Sequence, residues 1–132
     1  MESVGFTGTQ FWGKVSQLRI HELAAKMAEL WEPSAEFHHG VCIGMDAMAH
    51  TIARRLNYRI IGHPPVNSVK RAQLTCDEMR SPRPYLDRDH DIVNEVGVLL
   101  ATPIDPFMEQ LRSGTWATIR YARKQRRQVF II

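Results

Sequence analysis

Gly97-Val98-Leu99-Leu100-Ala101-Thr102-Pro103 is the stretch on which the fold turns. Its residues are apolar or small without alternation, and Pro103 removes a backbone donor at the end. A strand that is apolar on both faces belongs in the middle of a parallel sheet covered by helices. Neighbouring segments fit that reading. Upstream, residues 87–95 put Ile92 and Val93 on one helical face, with Val96 just beyond. Downstream, Ser113-Gly114-Thr115 opens a helix containing Ala117, Ile119, Tyr121 and Ala122, and residues 128–132 (QVFII) form a last strand.

The N-terminal half repeats the alternation. Residues 3–7 (SVGFT) read as a first strand. Residues 14–31 form an amphipathic helix with Val15, Leu18, Leu23, Met27 and Leu30 at helical spacing, stopped by Pro33. A second strand, 35–39, leads into the loop Gly40-Val41-Cys42-Ile43-Gly44-Met45-Asp46, where Asp46 suits a helix N-cap. The following helix closes at Asn57, and a third strand, 59–62, ends at His63-Pro64-Pro65. Residues 66–84 have weak periodicity and read as an excursion with one short helix near 69–78.

Strands alternating with helices predict an α/β, Rossmann-like three-layer sandwich. Right-handed crossovers favour a five-stranded, mostly parallel sheet in the order 3-2-1-4-5, with its switch point between the first strand and the 97–103 stretch. The 132 residues fit one domain over the whole chain. No apolar run is long enough to span a membrane, and MESVGFTGTQ lacks a basic n-region, so a cytoplasmic location is expected. Cys42 and Cys76 form no CxxC motif and read as free thiols.

Ligands of doubly wound sheets bind outside the carboxyl ends of the strands, which selects three loops. The first contains Gly5, Thr7, Gly8 and Thr9, and the second Gly44 and Asp46. The third, Arg112-Ser113-Gly114-Thr115, offers backbone N–H groups at a helix start, two hydroxyls and a guanidinium to a phosphate. Asp46 serves either as a cap or as a partner for a ribose hydroxyl. Ser113 serves either as a cap or as part of a phosphate cradle. His38, His39, Cys42 and His50 lack metal-site spacing, and His38 and His39 would face opposite sides of a strand; no metal and no cofactor are expected.

Net charge is +3, from 17 basic and 14 acidic residues. Arg120, Arg123, Lys124, Arg126 and Arg127 cluster near the last helix. They suit either a helix C-terminus or, with Trp12 and Trp116 as stacking groups, single-stranded DNA.

GFTGT at 5–9, HHGxCxGxDxxAH at 38–50, GVLLATP at 97–103 and SGTWATIRYA at 113–122 together resemble the SLOG superfamily of Rossmann-like nucleotide-binding proteins. That superfamily includes the DNA-processing protein A family and the phosphoribohydrolases once described as lysine decarboxylases. The resemblance implies a nucleotide or phosphosugar pocket, with Gly8, Thr9, Gly114 and Thr115 at its phosphate end and Gly44 and Asp46 in the middle. It also implies a homodimer, whose surface would involve the helix starting near Asp46 or the one near Asp87. The chain departs from the phosphoribohydrolases at Thr118, where they carry a glutamate, and lacks their preceding Pro-Gly-Gly. If it nevertheless cleaves a nucleoside monophosphate at its N-glycosidic bond, Asp87, Asp91 and Glu109 are the candidate carboxylates.

Overall fold

The fold follows from where apolar side chains can be buried. A computed structural model describes residues 3–132; residues 1 and 2, the start of the stretch MESVGFTGTQ, lie outside the described residues. The elements are β1 (Ser3–Gly8), α1 (Gln17–Leu30), β2 (Glu36–His39), α2 (Met45–Arg55), β3 (Arg59–Gly62), β4 (Glu78–Met79), α3 (Tyr85–Glu95), β5 (Val98–Thr102), α4 (Gly114–Lys124) and β6 (Gln128–Ile131). The sheet order is β4-β3-β2-β1-β5-β6, and every pairing is parallel.

The five expected strands stand in the expected order, with a sixth added beyond β3. The short helix expected near 69–78 is instead a single 3-10 turn, Ser68–Lys70. The chain then runs extended along β3. Asp77 fastens it there: its N–H donates to the Ile60 carbonyl (2.9 Å) and its carboxylate accepts from the Ile60 N–H (2.8 Å). A two-residue strand has no periodicity to read.

Every residue of β5 is buried, as its composition requires. One face of the sheet packs Val4, Phe6, Phe37, Ile60 and Leu100 against Leu23 and Met27 of α1 and Ala49 and Ala53 of α2. On the other face, Leu99 meets Val93 of α3 and Ala122 of α4, and Ala101 meets Trp116 and Ile119. Trp116 is therefore a core residue. α1 begins later than its spacing suggested. Ser16 caps it by accepting from Arg19 N–H (3.2 Å); Val15 is buried ahead of the helix, while Leu18 is 67% exposed. Among the described residues no helix is long and apolar enough to cross a membrane.

Candidate functional site

A crevice of about 810 Å³ opens at the carboxyl ends of β1 and β5. That volume suits a drug- or nucleotide-sized ligand. The order reversal of the sheet creates it: β1 leads to α1 and α2 on one face, β5 to α4 on the other.

One wall is the loop after β1. Thr7, Gly8 and Thr9 line it. Thr9 N–H donates to the Thr102 carbonyl (3.1 Å), and Thr9 Oγ1 accepts from Phe11 N–H (3.1 Å), which fixes the bend. A Cβ at Gly8 would lie 2.5 Å from Thr102 Oγ1 and 2.7 Å from Met45 Cβ, so only glycine lets β1, β5 and α2 meet there. Gly5 is placed elsewhere. A Cβ there would lie 2.9 Å from Val96 Cγ2 and 3.1 Å from Ile92 Cγ2, so Gly5 serves helix packing and stands outside the crevice lining. Gly44 is also outside the lining. Its φ of +92° and its closeness to the Gln10 backbone make it a tight junction at the head of α2.

The opposite wall is Arg112-Ser113-Gly114-Thr115. Ser113 caps α4, its hydroxyl accepting from Trp116 N–H (3.2 Å). The N–H groups of Gly114 and Thr115, in the first turn, have no carbonyl four residues back to bond. A Cβ at Gly114 would meet nothing within 4 Å, and Gly44 is the only described glycine with positive φ. Neither packing nor the turn demands glycine at 114. Arg112 and Lys70 add positive charge to the rim.

The floor carries the densest chemistry. Arg88 of α3 is 5% exposed. Its Nε donates to Asp89 Oδ1 (2.7 Å), and its Nη1 donates to the carbonyls of Gly40 and His63 (3.1 Å to the latter). Asp46 does not cap α2, as its position suggested; Gly44 takes that place, and Asp46 Oδ2 accepts from Cys42 N–H (3.1 Å). Burial pushes the Asp46 carboxyl up to about 7, against the opposing pull of Arg88. Burial likewise raises Asp89, while Arg88 and a hydrogen bond from Thr118 pull it down. Burial works against the Arg88 charge, yet Asp89 and Asp46 hold the guanidinium above its ordinary value. The Cys42 thiol is raised by burial and by Asp46, which leaves it protonated and a poor nucleophile.

None of Asp87, Asp91 and Glu109 lines the crevice. Asp87 is exposed, Asp91 pairs with Arg83 (2.7 Å), and Glu109 pairs with Arg120 (2.8 Å). The crevice carboxylates are Asp46 and Asp89. Tyr85, Arg88, Asp89 and Ile92 recur at i, i+3, i+4 and i+7, and all four line the crevice. Charged residues within the buried stripe of an amphipathic helix were the signal that sequence reasoning passed over. The basic cluster has a different place. α4 starts at the crevice and runs back to the amino end of β6, so Arg123, Lys124 and Arg126 lie at the far end of the sheet. Arg127 is used internally, donating to the Val93 carbonyl (3.1 Å). Trp12 is 58% exposed, outside the crevice lining. Both cysteines are free.

No protein-family model matches the sequence, and no curated protein matches it significantly. Solved structures do match in fold. The molybdenum cofactor binding protein of Rippkaea orientalis superposes with a TM-score of 0.72 at 19% identity, over 98% of this chain and 75% of that one. The Moco carrier protein of Chlamydomonas reinhardtii gives 0.70 at 18%, over 99% and 75%. DNA processing protein A of Helicobacter pylori, described with a single-stranded DNA binding mode, gives 0.68 at 16%, over 98% of this chain and 64% of that one. The chain thus has the Rossmann-like α/β fold of these proteins, the fold that its resemblance to the SLOG superfamily implied.

Proposed function

We propose that this chain binds a nucleotide or phosphosugar in the crevice, as a sensor or carrier. The observation that carries the reading is the open space over Gly114, at the head of α4 and beside Arg112. An anion seated there would accept from the Gly114 and Thr115 N–H groups, gain from the helix dipole and meet the guanidinium. Apolar Phe11, Ile43 and Ile104 flank the space between this end and the Arg88 floor, where a ring or sugar would lie. Two fold neighbours that bind or carry a molybdenum cofactor support a carrier role in general terms. Calorimetry with nucleoside mono-, di- and triphosphates tests it. Saturable binding is expected, and folded protein that binds none of them at millimolar concentration overturns it.

A second reading, hydrolysis of a nucleoside monophosphate at its N-glycosidic bond, is favoured by one feature. Asp46 is a crevice carboxyl whose affinity for a proton is tuned near neutrality, as an acid or base requires. Asp46 and Asp89 replace Asp87, Asp91 and Glu109 as the groups to test. Release of free base, detected by chromatography and lost in Asp46→Asn, is its expected result. Single-stranded DNA binding has the support of one fold neighbour, but the exposed cations of α4 stand away from the crevice. Self-association through the outer surface of α2 or α3, in a cytoplasmic protein, completes the proposal; sedimentation at micromolar concentration reads it directly.

A further inference from the structure

Four histidines are buried in the sheet's interior layers: His38, His39, His50 and His63. His38 and His39 are consecutive on β2 and face opposite sides, so they join different partners. His39 Nε2 lies 3.0 Å from His50 Nδ1, while its Nδ1 accepts from Val41 N–H (3.0 Å). A backbone N–H only donates. The neutral His39 ring therefore carries its proton on Nε2, the nitrogen that would have to face a metal held with His50 and Cys76.

The other pair has the reverse polarity. His38 Nε2 lies 3.1 Å from Glu36 Oε1. An ionised carboxylate only accepts, so His38 carries its proton on Nε2 and its Nδ1 is bare. That bare nitrogen faces His63 Nε2 at 2.9 Å. Glu95, the last residue of α3, brings a carboxylate 4.0 Å from His63 Nδ1. One ligand atom from each of His38, His63 and Glu95 lies within 4.8 Å of the other two.

We propose that His38, His63 and Glu95 form a binding site for a divalent cation of the zinc class, with Glu36 holding His38 in the ligating tautomer. Zinc accepts two imidazole nitrogens and a carboxylate at about 2.0–2.2 Å, with water in the fourth position. Two nitrogens 2.9 Å apart need to part by only about 0.4 Å to bracket it at a tetrahedral angle. On binding, His63 Nε2 gives its lone pair to the metal and its proton passes to Nδ1, while the Glu95 carboxylate turns from beside Nδ1 to the metal. The Glu36–His38–metal line is the usual way a protein orients and strengthens a histidine ligand. Burial lowers both histidine pKa values, which keeps the rings neutral and ready to ligate. Arg80 faces the site but is engaged by Glu78 (2.7 Å) and Glu95 (2.6 Å), and it fixes the latter. The Glu95 side chain is 35% exposed against 1% and 2% for His38 and His63, which makes its side the entrance. The site also touches the crevice floor: the His63 carbonyl accepts from Arg88.

The test uses the whole chain, stripped with a chelator and titrated with Zn2+ by calorimetry and with Co2+ by visible absorption. One equivalent of Zn2+, strong tetrahedral Co2+ bands and a melting temperature raised by several degrees are expected. Glu95→Gln, a change at the surface, should weaken Zn2+ at least tenfold while the circular dichroism spectrum stays native. Glu36→Gln should weaken it by about 10–100-fold, because Glu36 meets His38 on the side away from the metal, its other oxygen facing Arg59 (3.7 Å). His50→Gln/Cys76→Ser should leave binding unchanged. The proposal is overturned if folded wild-type protein takes up no Zn2+ at 100 µM, about a hundred times a typical micromolar dissociation constant. It is equally overturned if binding survives Glu95→Gln and Glu36→Gln, or is abolished by His50→Gln/Cys76→Ser. Nucleotide calorimetry is independent of all these outcomes.

Discussion

Arg88 Nε donates to Asp89 Oδ1 over 2.7 Å, so two adjacent residues of one helix form a buried ion pair beneath the crevice. The same guanidinium bonds the Gly40 and His63 carbonyls and offsets the Asp46 charge. One cation thus ties α3 to the loops after β2 and β3. Removing it leaves the Asp46 and Asp89 carboxylates without their counter-ion and takes this donor from the buried Gly40 and His63 carbonyls. Arg88→Met should cost about 3–5 kcal/mol, in the range found when one partner of a buried pair is deleted. Urea unfolding measures this, and a loss below about 1 kcal/mol, the scale of an exposed pair, would show that the floor does not depend on Arg88.

Asp46 gives stability a defined pH dependence. Its folded value, about 7, lies above the ordinary 3.8. The folded state therefore holds a proton that the unfolded state lacks between these values. This contribution grows as pH falls from about 7 toward 4, and disappears above 7, where both states are ionised. The span corresponds to at most about 4 kcal/mol. His39 works in the opposite direction, since burial and His50 lower it to about 3, so the comparison must be made against a variant. Asp46→Asn keeps an acceptor for Cys42 N–H and removes the titration. It should be at least as stable as wild type at pH 8 and relatively less stable at pH 5. Parallel curves of urea midpoint against pH for the two proteins would contradict the assignment.

The parts of this fold that sequence made legible are those where one period governs a whole element. β5 reads as a central strand because both its faces are buried, and the strand order follows from β5 and from the handedness of the crossovers. β4 is two residues long and is held by Asp77, a tertiary contact with no local signature. In the crevice, the loops at Thr7–Thr9 and Arg112–Thr115 were legible from their small residues and their place before helices. The floor was not. Asp87 and Asp91 look like Arg88 and Asp89 in composition, and only the helical stripe separates the outer pair from the buried one. Glycines were equally ambiguous, because Gly5 and Gly114 look alike in sequence while one packs against α3 and the other faces open space.

Gly44 and Gly8 should be intolerant of change. At Gly44, φ is +92° and a Cβ would fall on the Gln10 carbonyl, so Gly44→Ala meets both backbone strain and a clash with main chain. A loss of at least about 2 kcal/mol is expected from such strain and overlap together. At Gly8 the obstacles are Thr102 Oγ1 and Met45 Cβ, one of them helix-borne. Thermal melting of Gly8→Ala and Gly44→Ala checks both; wild-type melting temperatures would mean that β1, β5 and α2 do not meet this closely.

Gly114 separates binding from folding. A Cβ there has nothing within 4 Å of it, and the residue needs no left-handed conformation. Gly114→Val should therefore fold, with a melting temperature close to wild type; valine is a better helix former than the glycine it replaces. The same side chain would stand over the Gly114 and Thr115 N–H groups and hold an anion away from them. Nucleotide affinity should fall at least tenfold, the equivalent of about 1.4 kcal/mol. Arg112→Ala removes a charge from the same rim without touching the cap, because Ser113 Oγ, not Arg112, bonds Trp116 N–H. Its loss should be smaller in high salt than in low, since an exposed guanidinium is screened. If Gly114→Val folds and binds nucleotide as tightly as wild type, the phosphate is not held at the head of α4.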